Sequence, residues 1–291
     1  MKTGAKKYHI LIGICILLSV FAFLTAAFFW KEAVTSVNLG YHYAFIGRGG
    51  VFKYHTIALF SARISLYWLM HFVGLLFMCI LNIARRRNVD LSVLQAVLCA
   101  FLSALFGFLG AKILYVIENI SDVVQNGLHL DGVSFFGALF IIPTAVWVIR
   151  HLLHAKREGF LDYCTPSAIG MLGMIRIGCF LNGCCSGIPL TVHDNISIIP
   201  VQLLECGLDF AILGFLLWLE KKNCFANRRF YLLLTLYGAI RFILEFLRNT
   251  PKVWLGFSNG QIFALIALLA GIICFCKRKP CETTRNIPLP D

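Results

Sequence analysis

Two short stretches hold most of the chemically capable side chains of an otherwise apolar chain. The first, RIGCFLNGCCSG at 176–187, opens on Arg176 and sets Cys179, Cys184 and Cys185 among three glycines. The second, YGAIRFILEFLR at 237–248, carries Tyr237, Arg241, Glu245 and Arg248. Their spacings of 4, 4 and 3 residues place all four on one face of a helix. Pairing along that face, Arg241 with Glu245 and Glu245 with Arg248, accounts for one carboxylate and one arginine. The other arginine is left over, and so is Arg176. Surplus guanidinium in a low-dielectric setting calls for an anion, and the planar guanidinium fork matches phosphate. The chemistry expected is capture of an anionic lipid headgroup.

Other residues join this set. Gln202 and Glu205 in IPVQLLECGLD open an apolar run, and Glu205 is the candidate for proton transfer. Tyr67 and Tyr115 offer hydroxyl donors, although a tyrosine near a membrane surface is also an ordinary belt residue. Residues 182–187, with Asn182, Gly183 and Gly187, suit a tight turn whose N–H groups face an anion. Lys112 is a third charge inside an apolar run, His71 reads as a core histidine, and His193 reads as solvated. The cysteine cluster admits three readings. It is a metal site with His193, though the spacing matches no familiar zinc pattern. It is a disulfide of Cys179 with Cys184 or Cys185 on an oxidising face. Or it is a reactive thiol with its pKa lowered by Arg176.

The elements that must position these residues are membrane helices. Of 291 residues, 59% are hydrophobic and 14% charged, against about 25% charged in globular proteins. Apolar runs near 8–30, 59–83, 92–117, 134–149, 163–181, 200–219, 230–248 and 255–276 each approach the ~20 residues a spanning helix needs. The expected fold class is therefore an all-α integral membrane protein of about eight helices. The runs do not alternate, which excludes a barrel. Residues 44–60 alternate well enough for a short outer-face hairpin, and 277–291 read as a disordered tail. Three parts follow: an N-terminal anchor and connection (1–58), a membrane core (59–276) and the tail. The length of the first run favours an anchor over a cleaved signal peptide.

The net charge of +12 is a topology signal rather than a nucleic-acid footprint. Basic clusters at Lys2–Lys7, Arg85–Arg87, Arg150–Arg157, Lys221–Arg229 and Lys277–Arg285 fall on every second connection. The positive-inside rule then puts both termini in the cytoplasm, and Arg176 and Arg248 at the outer ends of their spans.

The pattern resembles the prolipoprotein diacylglyceryl transferase family. RIGCFLNGCCSG is similar to its signature R-I-G-N-F-I-N-G-E-x-x-G, and YGAIRFILEFLR to Y-G-x-x-R-F-x-x-E-F-x-R. SLYWLMHFVGLLFMCILNIARRR resembles its first core span, with Tyr67 at the essential tyrosine. GFLGAKILYVIEN, GVSFFGA, IPVQLLECGLD and SNGQIFALIALLAG follow in the family's order from about 59 to 276. The resemblance implies a seven-span core plus an added first helix, in a bacterial cytoplasmic membrane. It also implies transfer of a diacylglyceryl group from phosphatidylglycerol, or a similar anionic phospholipid, to the cysteine thiol of a lipobox-bearing prolipoprotein. Arg176, Arg241, Tyr67 and Glu205 would be catalytic, with Arg248, Glu245, Asn182, Gly187, Tyr237, Tyr115 and Gln202 binding substrate. Carbon–sulfur bond formation needs neither metal nor nucleotide, so no metal or cofactor is expected. The chain departs from the pattern at four places. The family's histidine falls on Phe136, its asparagine on Cys179, and its glutamate on Cys184; Lys112 also replaces an arginine. The alternative reading is a divergent member acting on another lipid or acceptor, or a lipid-binding protein without catalysis.

Overall fold

The structure is a computed structural model that describes residues 56–59, 62–127, 133–155, 159–192, 195–248 and 250–278, with isolated positions 14, 17 and 20. The expected first span, the hairpin residues 44–55, His193 and most of the tail lie outside the described residues.

Among the described residues, seven helices are long and apolar enough to cross a membrane. They are α1 (Leu66–Arg85), α2 (Val93–Glu118), α4 (Phe135–Leu152), α5 (Phe160–Leu181), α6 (Val201–Lys221), α7 (Arg229–Leu244) and α8 (Asn259–Lys277). Short α3 (Ile120–Asn126) follows α2. Two antiparallel hairpins complete the chain: β1 (Thr56–Leu59) with β2 (Ala62–Ser65), and β3 (Pro189–Val192) with β4 (Asn195–Ile198).

Local sequence explains the element ends. Ser92 caps α2 and Ser258 caps α8, each in a reciprocal capping box with the glutamine three residues on. The fourth run, short at 134–149, extends by about a turn and reaches Leu152, as its length leads one to expect. The second run does not start at 59 as its hydropathy suggested. Residues 56–59 and 62–65 pair as β1 and β2, and the helix begins only at Leu66. The β-branched and alternating residues before Leu66 pair with each other in preference to extending the helix.

α1 packs on α5, α2 on α4, α5 on α6, and α7 on α8. Close approach is set by small residues, as membrane helix packing requires. A Cβ added at Gly110 of α2 would stand 2.5 Å from the Gly137 carbonyl oxygen of α4. α5 is the central helix: nearly all of it is buried, with Arg176 near its end.

Candidate active site

The ends of α5, α6 and α7 bring the expected charges to one place. Arg176 is 5% exposed, Glu205 1% and Arg241 7%. Burial this deep is expensive for a charge unless it is paired. Glu205, on the first turns of α6, takes both pairs. Its Oε1 lies 2.6 Å from Arg176 Nη2, and its Oε2 lies 3.3 Å from Arg241 Nη1. The Tyr237 hydroxyl donates to Glu205 Oε1 at 2.9 Å and accepts from Arg176 Nη2 at 3.4 Å. Glu205 is thus the shared counter-ion of two arginines from two helices.

The second carboxylate sits alongside. Arg241 Nη2 lies 2.9 Å from Glu245 Oε2, and Arg248 Nη1 lies 3.8 Å from the same oxygen. Thr250 and Ser258 hydroxyls donate to Glu245 Oε1 at 2.9 and 3.0 Å. The backbone there corrects one expectation. Tyr237 and Arg241 share a face of α7, but the helix stops at Leu244; Glu245–Leu247 tightens into a 3₁₀ turn and Arg248 is extended. Arg248 is drawn off the helix because its backbone pairs with Gly187 in an isolated bridge, while Ile188 N–H donates to Leu247 O at 2.8 Å.

Three arginines therefore share two paired carboxylates. The Nε atoms of Arg176 and Arg248 have no hydrogen-bond partner among the described residues. Burial works against the charge of Arg248, yet Cys185, Glu205 and Glu245 together hold its pKa above the ordinary arginine value.

The remaining expected residues divide. Gln202 Nε2 donates to Cys184 O at 2.6 Å and so fixes the cysteine turn. Gly187 is a fitting requirement: a Cβ there would lie 2.6 Å from Ile199 O and 2.8 Å from Leu247 O. Asn182 ends α5, half-buried, with Oδ1 unpartnered among the described residues. Tyr67, at the start of α1, lies against Gly178, where an added Cβ would meet its ring at 3.6 Å. His71 Nδ1 lies 2.8 Å from Tyr67 O, a local tie within α1. Tyr115 lies on α2, outside the arginine network among the described residues. Lys112 stands over the Phe108 ring at 5.4 Å.

The three thiols converge. The Sγ atoms of Cys179, Cys184 and Cys185 lie within 4.8 Å of one another and are not joined as disulfides. Hydrogen bonds from Cys179 and Cys184 hold the exposed Cys185 thiol well below the usual thiol range, and Arg248 and Arg176 add to the effect.

An aromatic wall closes the network on the α4 side. Phe136 is 4% exposed and packs near the Tyr237 ring, with centroids 6.3 Å apart. Phe135 lies 5.1 Å from that ring, and the Arg176 guanidinium stands 5.7 Å over Phe135. Phe136 offers no atom that gives or takes a proton.

The profile described as Prolipoprotein diacylglyceryl transferase matches residues 55–277, which contain every residue of this network. The chain belongs to the prolipoprotein diacylglyceryl transferase family. A Clostridium tetani protein named phosphatidylglycerol–prolipoprotein diacylglyceryl transferase is 31% identical over 239 residues, covering 75% of this chain and 94% of that protein. A Bordetella bronchiseptica protein of the same name is 30% identical over 257 residues, covering 77% of this chain and 96% of its own length. The Clostridium perfringens protein named phosphatidylglycerol–prolipoprotein diacylglyceryl transferase 2 is 27% identical over 243 residues, covering 75% and 92%.

The sequence reading missed Asp209. It lies one turn beyond Glu205 on α6, 0% exposed, and neither carboxylate oxygen has a hydrogen-bond partner among the described residues. The available signal was a carboxylate inside an apolar run, which by itself marks a position worth explaining.

Proposed function

We propose that this chain transfers a diacylglyceryl group from phosphatidylglycerol to the cysteine thiol of a lipobox-bearing prolipoprotein, forming a thioether and releasing glycerol phosphate. The observation that carries the reading is the convergence of Arg176, Arg241 and Arg248 on only two paired carboxylates at one end of the bundle. A lipid phosphate supplies the missing anion. Fixed guanidiniums then stabilise the negative charge that builds on the phosphate as the carbon–oxygen bond breaks, in surroundings where such stabilisation is strong. Tyr237 orients Glu205 between the two arginines, and Phe135 and Phe136 keep water from that side. Gln202, Gly187 and Asn182 hold the turn beside the phosphate, where the acceptor thiol must arrive.

Family membership supports a bacterial membrane setting. The basic ends of α1, α4, α6 and α8, at Arg85, Arg150, Lys221 and Lys277, support a cytoplasmic face opposite the arginine network, with both termini on it.

The purified chain in phosphatidylglycerol vesicles should add one diacylglyceryl group to a lipobox peptide, read by mass spectrometry. Arg241→Ala should lower the rate at least about 100-fold, the scale of losing one charge-stabilising donor. An unmodified peptide with the native chain would falsify the proposal. Phe136 favours a second reading, lipid capture without transfer, whose signature is headgroup binding with no product.

A further inference from the structure

The three cysteines are where this chain departs most densely from the family signature it otherwise matches, and they have been brought together. Cys179 is buried on the last turn of α5, Cys184 is half-buried, and Cys185 is exposed. The turn between them is built without any sulfur–sulfur bond. Gly183 N–H donates to Phe180 O and Cys184 N–H to Cys179 O, both at 3.1 Å. Gly183 and Cys185 adopt left-handed backbone angles, with φ of 71° and 61°, a conformation a cysteine rarely takes unless its surroundings impose it. Gln202 holds the carbonyl of Cys184 from α6, and Gly187 ties the far end to Ile199 and Arg248. The fold therefore fixes three sulfurs around one point.

A zinc-class ion binds thiolate sulfur at about 2.3 Å, so three such ligands stand roughly 3.8–4.0 Å apart. Sulfurs already within 4.8 Å reach that arrangement with adjustments of about 1 Å or less. Three thiolates and a divalent cation carry a net negative charge, and Arg176 and Arg248 both act on this site. Structural zinc sites close with a fourth protein ligand, whereas reactive ones keep that position open.

We propose that Cys179, Cys184 and Cys185 form a three-thiolate site for one thiophilic divalent cation of the zinc class, and that its open fourth position takes the acceptor cysteine thiol. The second half rests on the transfer reaction proposed above. Coordination removes the acceptor's S–H proton to solvent, because a metal-bound thiol is held as thiolate. The thiolate electron pair forms the new C–S bond, and the diacylglyceryl C–O bond breaks with its electron pair on the departing glycerol phosphate. Nothing is oxidised or reduced, and the thioether leaves the metal as a poor ligand. This route needs no basic side chain, which fits a site whose wall is Phe136.

The test uses the full chain in phosphatidylglycerol nanodiscs, reduced, stripped of metal and titrated with Co²⁺. One equivalent should produce an intense sulfur-to-cobalt charge-transfer band, displaced by Zn²⁺. A lipobox peptide should then raise that band by about a third, as three thiolate ligands become four, and its Cys→Ser counterpart should not. Cys185→Ser, at the exposed position, should weaken the band while leaving the protein folded; Cys179→Ser is the harsher confirmation. Absence of the band, an equal band in Cys185→Ser, or recovery of a disulfide from the unreduced membrane protein overturns the metal site. A band indifferent to peptide overturns the acceptor half alone. A peptide that joins the metal yet gains no lipid in the zinc-loaded protein overturns the transfer reading and leaves the metal site standing.

Discussion

The molecule buries two ion networks, one at each end of the bundle, and they are built to different rules. At the basic end, Arg85 meets Glu220 with two parallel hydrogen bonds, Nε to Oε1 at 2.9 Å and Nη2 to Oε2 at 2.5 Å. Its Nη1 donates to Tyr163 O at 2.6 Å. Asn88 donates to Glu220 at 2.6 Å, Arg229 lies 3.9 Å from the same carboxylate, and the Phe230 N–H donates to Asp162 Oδ1 at 3.3 Å. Every nitrogen of the Arg85 guanidinium is thus engaged. At the other end the Nε atoms of Arg176 and Arg248 have no hydrogen-bond partner among the described residues. A saturated, bidentate arginine suits holding α1, α5 and α6 together. Guanidinium donors left without a partner keep capacity for a ligand, and that capacity rather than the burial distinguishes a site from a strut.

That contrast predicts which property each end loses. The largest effect should come from Arg241→Ala, which removes most transfer activity with a smaller fall in the thermal midpoint in detergent, since Glu205 keeps Arg176 and Glu245 keeps Arg248, Thr250 and Ser258. Arg85→Met should do the reverse. It leaves the half-buried Glu220 carboxylate with Asn88 and the more distant Arg229 alone, a loss of roughly 1–3 kcal/mol in stability, while the folded fraction turns over normally. If both variants lose activity and stability alike, the two networks do not differ in kind. Gly260→Ala comes next, because its Cβ would sit 2.7 Å from Glu245 Oε1 and push that carboxylate off Arg241 and Arg248. Its KM for lipid should rise several-fold with kcat less affected, as loss of binding demands. The smallest effect should be Asp209→Asn. Neither oxygen of Asp209 has a hydrogen-bond partner to lose, so the near-isosteric amide should shift the thermal midpoint by no more than a degree or two. A collapse in activity with that variant would move Asp209 into the network.

Hydropathy made the seven described spans legible because a membrane demands long apolar runs whatever their neighbours. It misplaced the start of the second, since the residues before Leu66 are apolar enough to continue the run, yet 56–59 and 62–65 pair as strands. The arginine site was legible as a charge surplus on two segments. The sharing of Glu205 was not, because it depends on how α5, α6 and α7 are rotated against one another. Arg85 and Arg229 read as topology charges at the ends of runs; the hint that they were more was Glu220, an acid at the rim of a basic connection. The convergence of the thiols was hidden for a similar reason. Cys179 belongs to a helix and the other two to a turn, in which Cys185 takes a left-handed backbone angle that its residue type does not announce.

The backbone bridge between Gly187 and Arg248 has a mechanical meaning. It couples the strip carrying the thiols to the strip carrying the last guanidinium, so a displacement of one backbone is passed to the other.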